Sequence, residues 1–375
     1  MIFFDNASTT KCTDSSVNIV TKYLTEQYYN PSALYHNSLV IKQELERARG
    51  TILKKLRGEG KIIFTGGGTE SDNIALLGSK KTKGGRVIIS ANEHAAIYAT
   101  AQELKARGFD LQICPVDEYG KVIEEEFVKL LTPAVTLVSI IHINNETGAI
   151  NDIAKLVKLT KEKCPRALFH SDGVQATGKI EMNLRSTGVD MYSMSAHKIG
   201  APKGVGALYI AKGVSVNPIV FGGGQEGGLR SSTENVSGIL AYEQAVVERY
   251  QNLQETLKKL TEIKNYIKDN LSQIDGIKFL SGPDSSPYIL SFSTPRVRGE
   301  VMQHALERKG IMVGTGSACA SNKASSRIAE ALGLKGKYLD GVTRLSFFIY
   351  NTMEEAEIFV KEYLSVYKEL EKYGS

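Results

Sequence analysis

No stretch of this chain approaches the ~18 uninterrupted apolar residues that a membrane-spanning helix requires. The opening Met1-Ile-Phe-Phe-Asp5 also puts an acid where a signal peptide would be apolar, so a cytoplasmic chain without a membrane partner is expected. Cysteine is scarce. Cys12, Cys114, Cys164 and Cys319 stand far apart, with neither metal-ligand spacing nor the density of a disulfide scaffold, and are read as free thiols. No basic tract exists: the net charge of +5 is spread along the chain, which argues against nucleic acid as a partner. Internal repeats and low-complexity segments are absent too. Nor does any glycine cluster match the GxGxxG of dinucleotide folds or end in the GK[ST] of a P-loop.

What the chain does have is length and alternation. At 375 residues and 42% hydrophobic it exceeds the size at which one core usually stops growing, so two domains are the default. Short apolar runs at Lys61–Thr65, Arg86–Ser90, Asp110–Val116, Val135–Ile143, Ala167–Asp172, Met191–Ala196 and Gly206–Ile210 read as strands, with helices between several of them, such as His94–Arg107 and Asp152–Lys163. This βα alternation predicts an α/β fold with a mostly parallel sheet covered on both faces, whose ligands gather at the carboxyl ends of the strands. After Phe221-Gly-Gly-Gly224 the pattern changes to one long helical region, about Val236 to Leu271. Shorter strands follow at Gly276–Ser281, Tyr288–Ser293 and Ile311–Val313, then a helix at Gly299–Lys309, a strand at Val342–Phe348 and a closing helix at Glu354–Tyr373. The domain boundary is placed inside the long helix. Residues 16–255 then form a large domain, and 1–15 with 256–375 a small α+β domain.

Several motifs fall just beyond the predicted strands. Gly66-Gly67-Gly68-Thr69 ends a strand and opens a helix, where glycines let a ligand approach the backbone and free N–H groups can hold a phosphate; a tight turn with a helix cap is the plainer alternative. His94 follows the second strand and could stack on a flat heteroaromatic ring, or simply cap a helix. Asn144-Asn145-Glu-Thr-Gly148 could equally be a turn.

Asp172 ends an apolar strand, where a buried carboxylate is costly unless it meets a cation. Lys198, in Ser195-Ala-His197-Lys198, closes another such strand, and desolvation should lower its pKa and suit it to imine formation. One amine and one carboxylate at neighbouring strand ends are what a pyridoxal phosphate ring needs, at its aldehyde and at its ring nitrogen. Lys203 competes with Lys198 but sits in a Gly-flanked turn after Pro202. Far downstream, Gly316-Ser-Ala-Cys319 adds a thiol in a polar loop, which suggests sulfur chemistry on an amino acid.

Together these pieces resemble the pyridoxal-phosphate-dependent cysteine desulfurases of the class V aminotransferase group, which have fold type I. The likeness runs from Asp5-Asn-Ala-Ser-Thr-Thr10 and Asn30-Pro-Ser32 through Gly68-Thr69-Glu-Ser-Asp-Asn73, Glu93-His94, Asn144–Gly148, Asp172-Gly-Val-Gln175, Ser195–Lys198, Arg230-Ser-Ser-Thr233-Glu-Asn235 and Gly316–Cys319 to Thr343-Arg344-Leu-Ser346. It implies a large, mostly parallel seven-stranded sheet domain with a smaller C-terminal domain. It also implies that Lys198 bonds the cofactor aldehyde, Asp172 pairs with the ring nitrogen and His94 stacks on the ring. By the same resemblance Gln175 and Asn145 hold the ring hydroxyl, while Gly68, Thr69, Ser195 and His197 surround the phosphate with Thr233 of a partner subunit, making a homodimer. Arg344 would clamp the carboxylate of L-cysteine.

The reaction so implied converts L-cysteine to L-alanine and leaves a persulfide on Cys319. A mobile loop then carries that sulfur to an acceptor protein of an Fe–S cluster or tRNA thiolation pathway. Departures from the family pattern are Gln225, Gly227, Ser232 and Phe347-Phe348, which bear on substrate scope and acceptor more than on cofactor. Another class V enzyme, an aminotransferase or selenocysteine lyase, is the alternative, and a non-catalytic paralogue that keeps the cofactor shell is a third reading.

Overall fold

The computed structural model describes residues 1–79, 83–315 and 324–373. Among the described residues the strands are β1 (Ile2–Phe4), β2 (Gly60–Thr65), β3 (Arg86–Ser90), β4 (Asp110–Cys114), β5 (Val135–Ser139), β6 (Leu168–Asp172), β7 (Met191–Ser195), β8 (Gly206–Ala211), β9 (Lys278–Phe279), β10 (Ile289–Ser293), β11 (Ile311–Val313) and β12 (Val342–Ser346). Seven of them form one sheet in the order β2-β8-β7-β6-β5-β3-β4. Within it β3, β4, β5, β6 and β7 pair in parallel, and β8 runs antiparallel to both β7 and β2. The sheet is thus mostly parallel, as its βα alternation predicts.

Both faces are covered, which explains why the strands read as near-continuous apolar runs. Successive side chains point to opposite faces. Ile62 and Phe64, Ile88, Tyr192 and Met194, and Ala207 and Tyr209 enter one core with Ile41, Leu45 and Ile52 of the helix His36–Lys55. Their neighbours Ile63, Val87, Ile89, Met191, Leu208 and Ile210 enter the other with Ile74 and Ile97. The two helices nearest the N-terminus, Asp14–Thr25 and His36–Lys55, lie outside the strand-by-strand reading of the sequence.

A further core, smaller than the first, gathers Phe4, Leu260, Ile263, Phe292, Phe347, Phe359 and Tyr363. Beside it β1 pairs in parallel with β11, Ile2 opposite Ile311, although some three hundred residues of chain separate them. The N-terminal segment continues past this core to the large sheet: Asn6 Nδ2 donates to the carbonyl of Ser346 (2.9 Å), and Thr10 N donates to that of His197 (2.9 Å). Its residues between these anchors are thereby fixed beside Lys198.

Two expectations need correction. The helical region 236–271 is two helices, Val236–Gln251 and Leu253–Leu271, parted at Asn252, whose backbone N–H and side-chain amide both bond Glu248 O. The first buries Ile239, Tyr242 and Val246 in the large core and the second buries Leu260, Ile263 and Ile267 in the small one, so one straight helix could not face both. The strand expected over Val135–Ile143 ends at Ser139, although Ile140 N and His142 N still donate to the carbonyls of His170 (3.2 Å) and Asp172 (2.9 Å) on β6. Ile140, Ile141 and Ile143 are buried, and Ile143 forms an isolated antiparallel bridge with Ile150. Among the described residues no helix is long and apolar enough to cross a membrane.

Candidate active site

The carboxyl ends of β2, β3, β6 and β7 open on one cavity of about 410 Å³, lined by Ala7, Ser8, Gly68, Thr69, Asp72, His94, Ile141, Asn145, Asp172, Val174, Gln175, Ser195, His197, Lys198 and Arg344. Parallel strands end together, so short segments widely separated in sequence converge there. Every sequence-predicted site residue of the described chain lies in this wall, except Thr233, which is exposed and outside it. Cys319 lies outside the described residues. Of the other thiols, Cys114 and Cys164 are buried, and burial pushes Cys114 up to about 12 and Cys164 upward, which disfavours thiolate at either. Gln225, Gly227 and Phe348 do not line the cavity. Gln225 and Gly227 flank Glu226, whose carboxylate holds Arg49 (2.6 Å) and Phe64 N (2.9 Å), and Phe348 packs in the small core.

Lys198 leaves β7 on a single tight turn and points its amine at the N-terminal segment, donating to the carbonyls of Ala7 (2.7 Å) and Ser8 (2.6 Å). Burial, and then the nearby Arg344 guanidinium, bring its pKa down to about 8, against the opposing pull of Asp172, Asp5 and Glu146. Lys203, the competing amine, is exposed. The rate at which the site captures an aldehyde should therefore rise with pH to a plateau, with a midpoint near 8 and not near the ~10.4 of a free lysine. Stopped-flow absorbance with pyridoxal phosphate measures it, and a midpoint above 10 would contradict the desolvated geometry.

Asp172 is buried, with Oδ1 accepting from Val174 N (2.9 Å). Burial raises its pKa, while His94, the Val174 N–H and Lys198 oppose the rise. Donor atoms of Asp72, His94 and Asp172 all lie within 4.8 Å of one another, and Asp72 is itself fully buried with an Oδ1 that bonds nothing. Deeper still, Glu93 accepts from Ser90 Oγ and from Ile141 N (2.8 Å), and burial lifts its pKa to about 8. Neutral His170 sits between Ser139 Oγ and Ser193 Oγ (2.9 Å each), its pKa driven down to about 3 by burial. Buried acids whose oxygens face a cavity suit a cationic heterocycle.

His94 caps the helix Ala95–Ala106 through Nδ1, which accepts from Ala96 N (3.2 Å), and also lines the cavity. Gly68 opens the helix Gly68–Gly78 in the cavity wall, and a Cβ on it would come within 2.6 Å of Val174 Cγ2. Arg344 is nearly buried, held by Asp5 Oδ1 (2.8 Å) and the Asn145 carbonyl (3.0 Å), with its Nε unpartnered.

Asp72 and Lys179 escaped the sequence reading. Asp72 lies four residues after Gly68 and Lys179 four after Gln175, a spacing that puts each a helical turn behind a motif residue. Ala7 and Ser8 act through backbone carbonyls, which leave no signature in side-chain identity.

A family model described as Aminotransferase class-V matches residues 2–359. The chain is 36% identical over 361 residues to a protein of Dictyoglomus turgidum named Cysteine desulfurase IscS, covering 94% of this chain and 91% of that one. It is 38% identical over 366 residues to a protein of the same name from Clostridium botulinum, covering 95% and 91%. Among solved structures, one titled NifS-like protein superposes with a TM-score of 0.92 at 34% identity, covering 98% of this chain and all of that one.

Proposed function

The chain belongs to the class V aminotransferase family, and from that premise we propose that it is a pyridoxal-phosphate-dependent cysteine desulfurase, converting L-cysteine to L-alanine and passing the sulfur to its own Cys319. The single observation that carries the reading is one cavity at the ends of parallel strands that joins a desolvated amine and two buried acids to a buried arginine from the antiparallel strand β12, in a chain related over nearly its whole length to cysteine desulfurases.

Pyridoxal phosphate, when bound, draws electrons away from the substrate's α-carbon and so acidifies its proton. The residues present fit it. Lys198 supplies the amine for the aldehyde and, once released by substrate, takes the α-proton on Nζ. Asp172 keeps the ring nitrogen charged, with Asp72 as a second buried acid alongside. His94 offers its ring face, and Gln175 and Asn145 offer donors for the ring hydroxyl. Gly68, Thr69, Ser195 and His197 receive the phosphate. His197 is neutral at physiological pH, pushed down to about 4 by burial and then by Lys198, Lys203 and Lys179, so it meets the phosphate as a hydrogen-bond donor and not as a charge. Arg344 receives the substrate carboxylate: its guanidinium is already aimed by Asp5 and Asn145, so less freedom is lost on binding.

Cys319 attacks the sulfur of the bound cysteine. The carbon–sulfur bond breaks, a sulfur–sulfur bond forms, the β-carbon takes up a proton in place of sulfur, and alanine leaves after its α-carbon regains a proton from Lys198. The persulfide then passes to an acceptor protein of an Fe–S cluster or thiolation pathway. A homodimer completes the site with Thr233 of the partner subunit. In support, Leu34, Tyr35 and Phe221 are exposed apolar side chains, 92%, 56% and 80% accessible. In sequence they fall within or beside the segments, 31–49 and 223–234, that line a surface groove. The unpaired thiols Cys12, Cys114 and Cys164 suit a cytoplasmic setting.

The test is to mix the cofactor-loaded protein with L-cysteine and a thiol reductant and to assay both products. Alanine and sulfide in equal amounts support the reading. Consumption of cysteine only in the presence of an oxo-acid acceptor would make it an aminotransferase instead.

A further inference from the structure

Lys179 is a buried amine that the proposed chemistry does not use. It is 3% exposed, in the turn that follows β6, and no carboxylate is bonded to it. Its Nζ donates to Gln175 Oε1 at 2.6 Å and lies 5.4 Å from the centre of the Tyr288 ring. Gln175 in turn donates from Nε2 to the Ala7 carbonyl at 2.9 Å, the same oxygen that Lys198 Nζ reaches at 2.7 Å. A line of contacts thus runs Lys179, Gln175, Ala7, Lys198, with Gln175, Ala7 and Lys198 in the cavity wall.

The chemistry of these partners fixes the carboxamide. A backbone carbonyl only accepts and an ammonium only donates, so turning the amide over would set carbonyl against carbonyl and NH₂ against the ammonium. In the observed orientation one N–H of Gln175 is used by Ala7 and the other remains for the cavity. Without Lys179, Gln175 Oε1 would lose the donor that holds it. Burying a lysine to secure one glutamine oxygen is otherwise hard to explain, since desolvation opposes its charge and brings its pKa down to about 7.

We propose that Lys179 is a positioning residue: it locks the Gln175 carboxamide so that a hydrogen-bond donor, and never an acceptor, faces the phenolic oxygen of the pyridoxal phosphate ring. The inference rests on the proposed cofactor reading. A fixed donor stabilises the ionised phenol oxygen, so the bound cofactor loses its shared proton at lower pH than it would beside a freely turning amide. Arg344, Asp172, Asp5 and Glu146 also face Lys198 and stay in place when Lys179 is substituted, but Lys179 and Lys198 repel each other and Lys179 lowers the pKa of His197, so Lys179→Gln, which removes the charge and keeps an N–H donor, is run beside Lys179→Met.

The experiment compares Lys179→Met, Gln175→Ala and the double variant in the full chain, reading cofactor Kd by fluorescence and the pH midpoint of the loaded protein's visible band. Lys179→Met should raise Kd about tenfold, the scale of one lost hydrogen bond to a charged group, and move the midpoint up by roughly one unit. Gln175→Ala should do the same, and the double variant no more than either. Unchanged Kd and midpoint in Lys179→Met, or a double variant that shows the product of the single effects, would overturn the proposal. Should Lys179→Met fail to fold, Lys179→Gln decides: it keeps an N–H donor without the charge, and a Kd more than about threefold above wild type would equally count against the orienting role. A wild-type protein with no visible band at all defeats the cofactor reading itself, whereas a normal wild-type band unaltered by Lys179→Met defeats only this inference.

Discussion

Lys198→Ala is expected to abolish covalent retention of pyridoxal phosphate and to lower alanine formation from L-cysteine by at least ~10³-fold, the scale of removing a nucleophile that is also the proton carrier. The expectation follows from position. Lys198 Nζ reaches the cavity from the end of β7, beside the N-terminal carbonyls, and its pKa near 8 leaves a large neutral fraction at physiological pH. Other amines are poorly placed. Lys203 is in solvent, and Lys179 is engaged by Gln175 and lies outside the cavity wall. Borohydride reduction followed by peptide mapping checks the point: the wild type should carry the label at Lys198, and a label retained in the alanine variant would move the role to Lys203 or Lys179.

The second large effect is expected at Asp172. Asp172→Asn should keep the fold and still bind cofactor, because the asparagine carbonyl can accept from Val174 N as Asp172 Oδ1 does. It cannot balance a protonated ring nitrogen, however. Removing a preorganised charge aimed at developing charge costs on the order of 10²–10³ in rate, and the loss should fall on removal of the α-proton. Exchange of that proton with deuterated solvent, followed by NMR on alanine or a slow substrate analogue, measures this step alone. An exchange rate equal to wild type would show that the carboxylate does not act on the ring. The buried Asp72 beside it makes the experiment sharper, since an acid already within 4.8 Å could partly substitute, and Asp72→Asn combined with Asp172→Asn should then remove the residual rate.

Much of this arrangement was legible in the sequence, for a physical reason. Each site motif follows directly on an apolar run, and in a parallel sheet the carboxyl ends of such runs meet, so Thr69, His94, Asp172 and Lys198 could be brought together without knowing a single contact. Residue type then assigned the chemistry, as with a carboxylate ending an apolar strand at Asp172. What stayed hidden was of two kinds. The break at Asn252 depends on which core each helix must face, and periodicity continues unchanged across it. The support behind the site depends on pairings distant in sequence: Ala7 with Lys198, Asp5 with Arg344, β1 with β11. Lys179 and Asp72 are intermediate cases, each one helical turn from a recognised residue, where a charged side chain on the inward face was itself a signal.

The most direct test of the central claim is the mass of the peptide that carries Cys319 after the cofactor-loaded protein has met one equivalent of L-cysteine without reductant. One added sulfur atom on that cysteine, with an equal amount of alanine released and neither product formed by Cys319→Ala, is the predicted result. Alanine and sulfide appearing at the wild-type rate from Cys319→Ala, or the extra sulfur residing on Cys12, would contradict it.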